Sequence, residues 1–324
     1  MDFLEKFDKQ KLQKITLMVI AALTLLALIL LLIIVISSVE GTPGPDNPDI
    51  PSINNNKNDL EFENMTVDAS QLAHGSLVLV NGTHKYDIPS DLNLQSIYEY
   101  RSSHRGDTTY TYNLPNSTQK LESTTLTYAH EMLVDLGKAT GNHSIMISSA
   151  FRTYDDQSEL NSSIAAGYSD SHTGQVIALT VYKGVSPYLH DESNADLNNW
   201  LTQNCYKYGF VVRYPDDKAE ITGVEDYSYA FRYVGIPHAK YMSASNICLE
   251  EYIEYLKENA SYKKPLSVTT DDGSIYYVYY EALEGATGEI KVPIRSANPD
   301  GSMNFDYTIS GTNDGGIVIT VKVK

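Results

Sequence analysis

The sequence predicts an α+β domain carried outside the cell on an N-terminal membrane anchor, and three observations predict it. Helical and β-type segments mix without a strict βαβ alternation. Residues 15–39 contain no charged side chain. From about Leu266 onward the texture becomes purely β, with alternating residues and turn sequences.

The uncharged run is 25 positions of mostly Leu, Ile, Val and Ala. A helix rises about 1.5 Å per residue against a hydrocarbon core of about 30 Å, so the run is long enough to span with some tilt. It is too long for the apolar part of a cleaved signal peptide, and Ser37-Ser38-Val39-Glu40 is a poor cleavage site. Lys6, Lys9, Lys11 and Lys14 precede the run, and no Lys or Arg follows it until Lys57. Positive residues stay inside, so residues 1–14 are predicted as a cytoplasmic tail and everything after residue 40 as extracytoplasmic. Residues 40–61 carry Pro43, Pro45, Pro48, Pro51 and the run Asn54-Asn55-Asn56. Such a segment has no core-forming pattern and reads as a linker.

Leu126, Ala129, Met132, Leu133 and Leu136 recur at helical spacing, closing near Gly141. A short strand is predicted at 145–147. A second helix is predicted to start after Thr153, whose hydroxyl can cap it, with Leu160 and Ile164 on one face. Residues 176–182 read as a strand. Leu197, Trp200, Leu201 and Tyr208 fit a third helix, with Gly209 placed just past its end. Residues 210–212 and 231–234 read as strands, and Ile247, Tyr252, Ile253 and Leu256 fit a last helix. Beyond it, Asp271-Asp272-Gly273, Asn298-Pro299-Asp300-Gly301 and Asn313-Asp314-Gly315 are turn sequences between β segments. Two domains are therefore expected, 62–262 and a small β module at 263–324. At about 60 residues the module has a limited core of its own and is expected to dock on the larger domain.

Composition narrows the function. The net charge is −17, which excludes nonspecific nucleic-acid binding, since that needs a basic surface. There are 25 Tyr against one Trp, which suits a binding groove but equally an ordinary core. Cys205 and Cys248 are too few for a disulfide framework. They are either two buried thiols or, in an oxidising compartment, one bridge. No phosphate-cradling glycine loop and no Cys/His zinc pattern occurs.

Residues 148–256 carry several long blocks that resemble one family. Ser148-Ser149-Ala150-Phe151-Arg152-Thr153-Tyr154-Asp155-Asp156-Gln157 resembles its S-G-Y-R-S-x-x-x-Q block. Ser169-Asp170-Ser171-His172-Thr173-Gly174 resembles S-E-H-Q-T-G. Trp200-Leu201, followed by Tyr208-Gly209-Phe210-Val211-Val212-Arg213-Tyr214-Pro215, resembles W-L-x(6)-Y-G-F-I-x-R-Y-P. Phe231-Arg232-Tyr233-Val234-Gly235 and Leu249-Glu250-Glu251-Tyr252 continue the series. The family is that of the VanY-type D-alanyl-D-alanine carboxypeptidases, within the zinc D,D-peptidase and hedgehog-fold superfamily. The resemblance implies an antiparallel sheet with flanking helices, placed outside the cell membrane.

It also implies a zinc site made by a His, an Asp seven positions later and a distant His, with a Glu three positions before the second His as general base. Three protein ligands and one open position are what a catalytic zinc requires. Registering the blocks puts Ser171, Ala178 and Ala230 at the ligand positions and Tyr227 at the base. None of these can replace imidazole or carboxylate at zinc, so the family's cofactor is predicted absent and no catalytic residue is assigned. His172 and Asp226 lie one residue from the lost positions, and a one-residue slip in an extended segment turns a side chain to the other face. Asp170 and His190 complete the set from which an unusual ligand group would have to be drawn; His238 is read as structural. Arg152 matches the family's substrate-carboxylate binder, with Ser149 and Gln157 beside it. It either keeps that grip or pairs with a structural acid. The expected function is a pseudoenzyme that binds peptidoglycan stem peptides or regulates a cell-wall enzyme. The alternatives are an active zinc carboxypeptidase with a non-standard ligand set and an interaction domain whose pocket is filled by Tyr227 and Tyr229.

Overall fold

Local signals in the chain set the element boundaries, and buried apolar stripes set how the elements pack. A computed structural model describes residues 60–104, 112–160, 162–225, 227, 229–294 and 306–323. The predicted tail, the span at 15–39 and nearly all of the linker lie outside them, as does the turn at Asn298. Among the described residues no helix is long and apolar enough to cross a membrane.

The order begins with β1 (Phe62–Asp68), β2 (Leu94–Ser96), α1 (Ile97–Ser103), β3 (Lys120–Glu122) and α2 (Ser123–Thr140). Next come β4 (Ile145–Ser149), α3 (Tyr154–Ser158), β5 (Val176–Val181), α4 (Ala195–Asn204) and β6 (Phe210–Val212). Then follow α5 (Ala219–Thr222), β7 (Ala230–Tyr233), α6 (Ile236–Ser245) and α7 (Leu249–Asn259). Strands β8 (Leu266–Thr269), β9 (Ile275–Ala282), β10 (Thr287–Pro293), β11 (Asp306–Gly311) and β12 (Gly316–Lys322) complete the series.

One antiparallel sheet runs β4-β5-β7-β6. Its strand β5 reads Val-Ile-Ala-Leu-Thr-Val and is covered on both faces, which is why it is a continuous apolar run and not an alternating one. Helix α2 lays Leu126, Ala129, Met132, Leu133 and Leu136 onto Ile147, Ile177, Leu179 and Phe231, with Leu197 and Leu201 of α4 in the same core. Each such side chain, fully buried, contributes about 1.5–3 kcal/mol. The Glu122 carboxylate starts α2 by accepting from the backbone N–H groups of Thr124 and Thr125. Gly141, at φ 67°, ends it.

A second antiparallel sheet runs β11-β12-β9-β8. Val268, Val278 and Val318 share a core with Met242, Leu249, Ile253 and Leu256 of α6 and α7, and with Leu77 and Leu79. On its other side Tyr279, Ile317, Ile319 and Val321 pack with Ile290, Val292 and Val67. Val67 belongs to β1, which pairs antiparallel with β10, so residues before the central sheet are built into the C-terminal β layer. Cys205 and Cys248 are both free and buried, and burial pushes each thiol up to about 12.

One predicted element is much shorter than expected. Thr153 does cap α3, in a capping box with Asp156, but the helix closes at Ser158. Leu160 is 47% exposed, and Ile164 is engaged through its backbone carbonyl, which accepts from the Gln157 side chain. Ser162 and Ser163 favour local side-chain bonds over a helix. Ser162 makes one, accepting from the Ile164 N–H.

Candidate functional site

Three of the site positions read from the sequence lie in one row across the central sheet. Ser149 on β4 stands opposite Ala178 on β5, and Ala178 stands opposite Ala230 on β7. Ala178 and Ala230 are buried, and Ala230 packs with Val176 and Tyr214, with Val224 and Tyr227 against them. Ser171 comes from the 3-10 turn Asp170–Thr173, which Gly174 closes at φ 69°. The turn is tied to the loop after β4, since the Ser171 carbonyl accepts from the Arg152 N–H at 3.3 Å.

Arg152 joins the remaining positions. Its Nη1 donates to Gln157 Oε1 at 2.8 Å, and its Nη2 to Ser171 Oγ at 2.9 Å, with Tyr227 Oη at 3.4 Å. Gln157 is itself buried and its amide nitrogen donates to the Ile164 carbonyl. The guanidinium is therefore half-buried among neutral partners. Among the described residues no carboxylate lies within ion-pair distance of it, and its buried Nε has no partner. Among the described residues Arg152 therefore has no ion-pair partner, and Asp156 feels it only through a longer-range charge interaction. A desolvated cation without a counter-charge is costly, and a planar fork whose Nε–H and one Nη1–H make no bond suits a carboxylate.

The neighbouring histidine and carboxylates are committed elsewhere. His172 is fully buried, its Nε2 accepting from the Gly167 N–H at 3.0 Å and its Nδ1 donating to the Arg152 carbonyl at 2.7 Å. Both ring nitrogens are used and burial lowers its pKa, so the ring is neutral. Asp170 receives Arg213 Nε at 2.5 Å and also binds Arg232 Nη1. His190 is exposed and stacks on Tyr188. His238 lies between Tyr252 Oη and Thr320 Oγ1, and burial pushes its pKa down to about 3. Asp226 lies outside the described residues.

Ser171, Ala178 and Ala230 offer one hydroxyl and two methyl groups, which does not fit a zinc needing nitrogen, sulfur or carboxylate ligands. Among the described residues no three His, Cys, Asp or Glu side chains converge as a metal site. Tyr227, at the base position, meets Tyr229 edge-on at 4.6 Å and Tyr214 at 5.5 Å.

Sequence reasoning missed the buried network beside this row. Arg213 bonds Asp170, Glu250 and the Val80 carbonyl. Arg232 bonds Asp170, Gln175 and the carbonyls of Ser76 and Val78. The only available signal was two arginines inside otherwise apolar strand segments.

Residues 118–236 match the family model described as VanY, D-alanyl-D-alanine carboxypeptidase. A D-alanyl-D-alanine carboxypeptidase of Enterococcus faecium is 32% identical over 262 residues, spanning 79% of this chain and 78% of that protein. The bifunctional D-Ala-D-Ala dipeptidase and D-Ala-D-Ala carboxypeptidase VanXYC of Enterococcus gallinarum is 43% identical over 74 residues, 23% of this chain and 37% of the relative. Among solved structures, the vancomycin resistance D,D-dipeptidase VanXYg, in complex with a D-Ala-D-Ala phosphinate analog, aligns with a TM-score of 0.64 at 21% identity. The alignment covers 81% of this chain and 99% of that one, and it speaks for the fold alone.

Proposed function

The chain belongs to the VanY family of D-alanyl-D-alanine carboxypeptidases, and from that premise we propose a binding protein for D-alanyl-terminated peptidoglycan stem peptides that does not hydrolyse them. The observation that carries this is Arg152, a half-buried guanidinium with neutral partners and a free Nε, set beside a row that has no metal ligand to offer. A peptide C-terminal carboxylate supplies the missing counter-charge in a bidentate bond. The buried methyl groups of Ala178 and Ala230 stand at the positions of the family's ligands and offer nothing that would activate a water. The uncharged run at 15–39, with four lysines ahead of it, supports a single-pass anchor with the N-terminus in the cytoplasm.

A second reading has its own observation. Tyr227 packs on Tyr214 and Tyr229 and its hydroxyl stands 3.4 Å from Arg152, so these rings could fill the pocket of a pure interaction domain. One titration separates the readings. The full-length protein is titrated with a D-Ala-D-Ala-terminated pentapeptide by NMR, with zinc content and D-alanine release measured on the same sample. Saturable binding that Arg152→Ala abolishes, with no release, is expected. No binding favours the interaction domain, and zinc-dependent release lost on chelation would sink the proposal.

A further inference from the structure

A cleft of about 620 Å³ opens away from the Arg152 row, within the usual size of ligand sites. Successive strand residues point to opposite faces, so Tyr233 of β7 projects opposite to Ala230. None of Arg152, Ser171, Ala178, Tyr227 or Ala230 lines it. Its walls come from the segment before β2, the first turns of α2, and the strands β9, β11 and β12.

Three phenols gather there. Tyr128 and Tyr233 stack, with ring centroids 5.4 Å apart and planes 17° from parallel. Tyr276 lines the same cleft, with the Lys322 ammonium 5.8 Å from its ring. Tyr233 is 8% exposed and lines the cleft, and its hydroxyl makes no hydrogen bond among the described residues, so solvent or a ligand can take it up. Burial above all, then Tyr128, Glu122 and Tyr276, push its pKa up, so it remains a donor.

The chemistry of the lining selects the ligand class. The carboxylates and the imidazole are already matched: His74 Nε2 meets Asp91 at 3.0 Å, Glu122 is used by the start of α2, and Asp306 has a partner. Among the described lining residues Lys322 is the one cation outside an ion pair, and it sits over Tyr276, so a multiply charged ligand finds a single counter-charge. A peptide strand finds a closed wall, because the Gly311 N–H already donates to the His74 carbonyl. Gly75 also lies so close to Ser310 that an added Cβ would fall 2.4 Å from its Oγ. What remains is aromatic surface interleaved with hydroxyl and amide groups, from Thr124 and Asn93 besides the phenols.

We propose that this cleft is a saccharide-binding site, taking one or two pyranose rings of an uncharged glycan. The C–H faces pack on Tyr128 and Tyr276, and a ring hydroxyl accepts from the Tyr233 phenol. The site stands whether or not Arg152 binds a peptide. If both hold, the chain grips one wall polymer by its sugar strand and by its peptide terminus.

The test uses the full-length protein and oligosaccharides of N-acetylglucosamine, two to four rings long, followed by calorimetry and saturation-transfer NMR. Saturable binding is expected in the wild type. Tyr276→Ala should weaken it by about tenfold and Tyr233→Phe by roughly threefold, as expected for a lost aromatic contact and one lost hydrogen bond. Arg152→Ala should leave it unchanged while removing the pentapeptide. Tyr276 is half-buried, so its variant reads out even if Tyr233→Phe proves unstable. No binding at millimolar sugar, or binding indifferent to the tyrosine variants, overturns the proposal. So does pentapeptide binding that depends on Tyr276 rather than on Arg152.

Discussion

Asp170 and Ser171 are consecutive residues of one 3-10 turn, and the two arginine environments they serve differ in kind. On the Asp170 side, Arg213 and Arg232 are fully buried and every contact is provided: a shared carboxylate, Glu250, and backbone carbonyls. On the Ser171 side, Arg152 meets a hydroxyl, an amide and a distant phenol, and its Nε–H is among the donors left over. A buried charge whose partners are complete is part of the framework. A charge with neutral partners is available to a ligand. The same turn shows why two of the candidate neighbours, Asp170 and His172, are not free to take up a metal. Asp170 and His172 are held by the framework, and only Ser171 is turned to the row.

The largest effect should come from breaking the complete side. Asp170→Asn leaves two buried guanidinium groups without their shared carboxylate, at a cost of about 3–5 kcal/mol. That is a large part of a domain's stability, so failure to fold or a steep fall in the urea midpoint is expected. Arg152→Ala should cost about 1–2 kcal/mol, because it strands only the neutral Oε1 of the buried Gln157 and no counter-charge. Equal losses in the two variants would erase the distinction between the sides.

Filling the open row is the next largest change. Ser171→His, Ala178→Asp and Ala230→His together place a ligand set on two positions paired across the sheet, Ala178 and Ala230, and on one in the 3-10 turn beside Arg152. Without metal the new carboxylate is a buried, unpaired charge, so the apo variant should be less stable than the wild type. Zinc should then raise its melting temperature, because an ion that binds only the folded state stabilises it. Equilibrium dialysis should find about one zinc per chain in the variant and none in the wild type. Stoichiometric zinc in the wild type would mean that the row has been misread.

Acid should weaken the complete interior before it touches the open row. His238 and His172 both have pKa values lowered by burial, His238 to about 3. Below their ordinary pKa of about 6.5 the unfolded chain takes up protons that the folded chain refuses. Stability from these two groups is therefore complete above about pH 6.5 and falls as pH drops toward the folded pKa values. For His238 the slope approaches ~1.4 kcal/mol per pH unit. Urea midpoints at pH 7, 6 and 5 should decline in the wild type and decline less in His238→Gln. A flat profile would mean that the imidazole is not held neutral.

The sequence carried the helices and strands because their signals are local. The apolar spacing of α2, its terminal Gly141, and the β-branched run of β5 are each readable within one segment. The helix after Thr153 was misjudged because a good cap says where a helix starts and nothing about how far it runs. The partners of Asp170 lie 43 and 62 residues away, and no local pattern announces them. The pairing of β1 with β10 is hidden for the same reason, since Asn64 bonds Glu289 across 225 residues. The resemblance proposed the site positions, and the sheet pairs Ser149 with Ala178 and Ala178 with Ala230. That Arg152 meets a hydroxyl and an amide, and no acid among the described residues, could only be seen in three dimensions.

The finest test of the comparison is to move Arg152 from one class to the other. Gln157 holds its Nη1 through a neutral oxygen, and the amide nitrogen anchors Gln157 to the Ile164 carbonyl. Gln157→Leu removes both bonds and frees the guanidinium to wander, so pentapeptide affinity should fall about three- to tenfold for a stability change near ~1 kcal/mol. Gln157→Glu keeps the shape but gives Arg152 the carboxylate it lacks. Its pentapeptide affinity should fall further than in the leucine variant, while its urea midpoint should hold or rise. A glutamate variant that binds as well as the wild type would show that the cation at 152 does not need to be free, and the ligand would then have to be held by something other than its carboxylate.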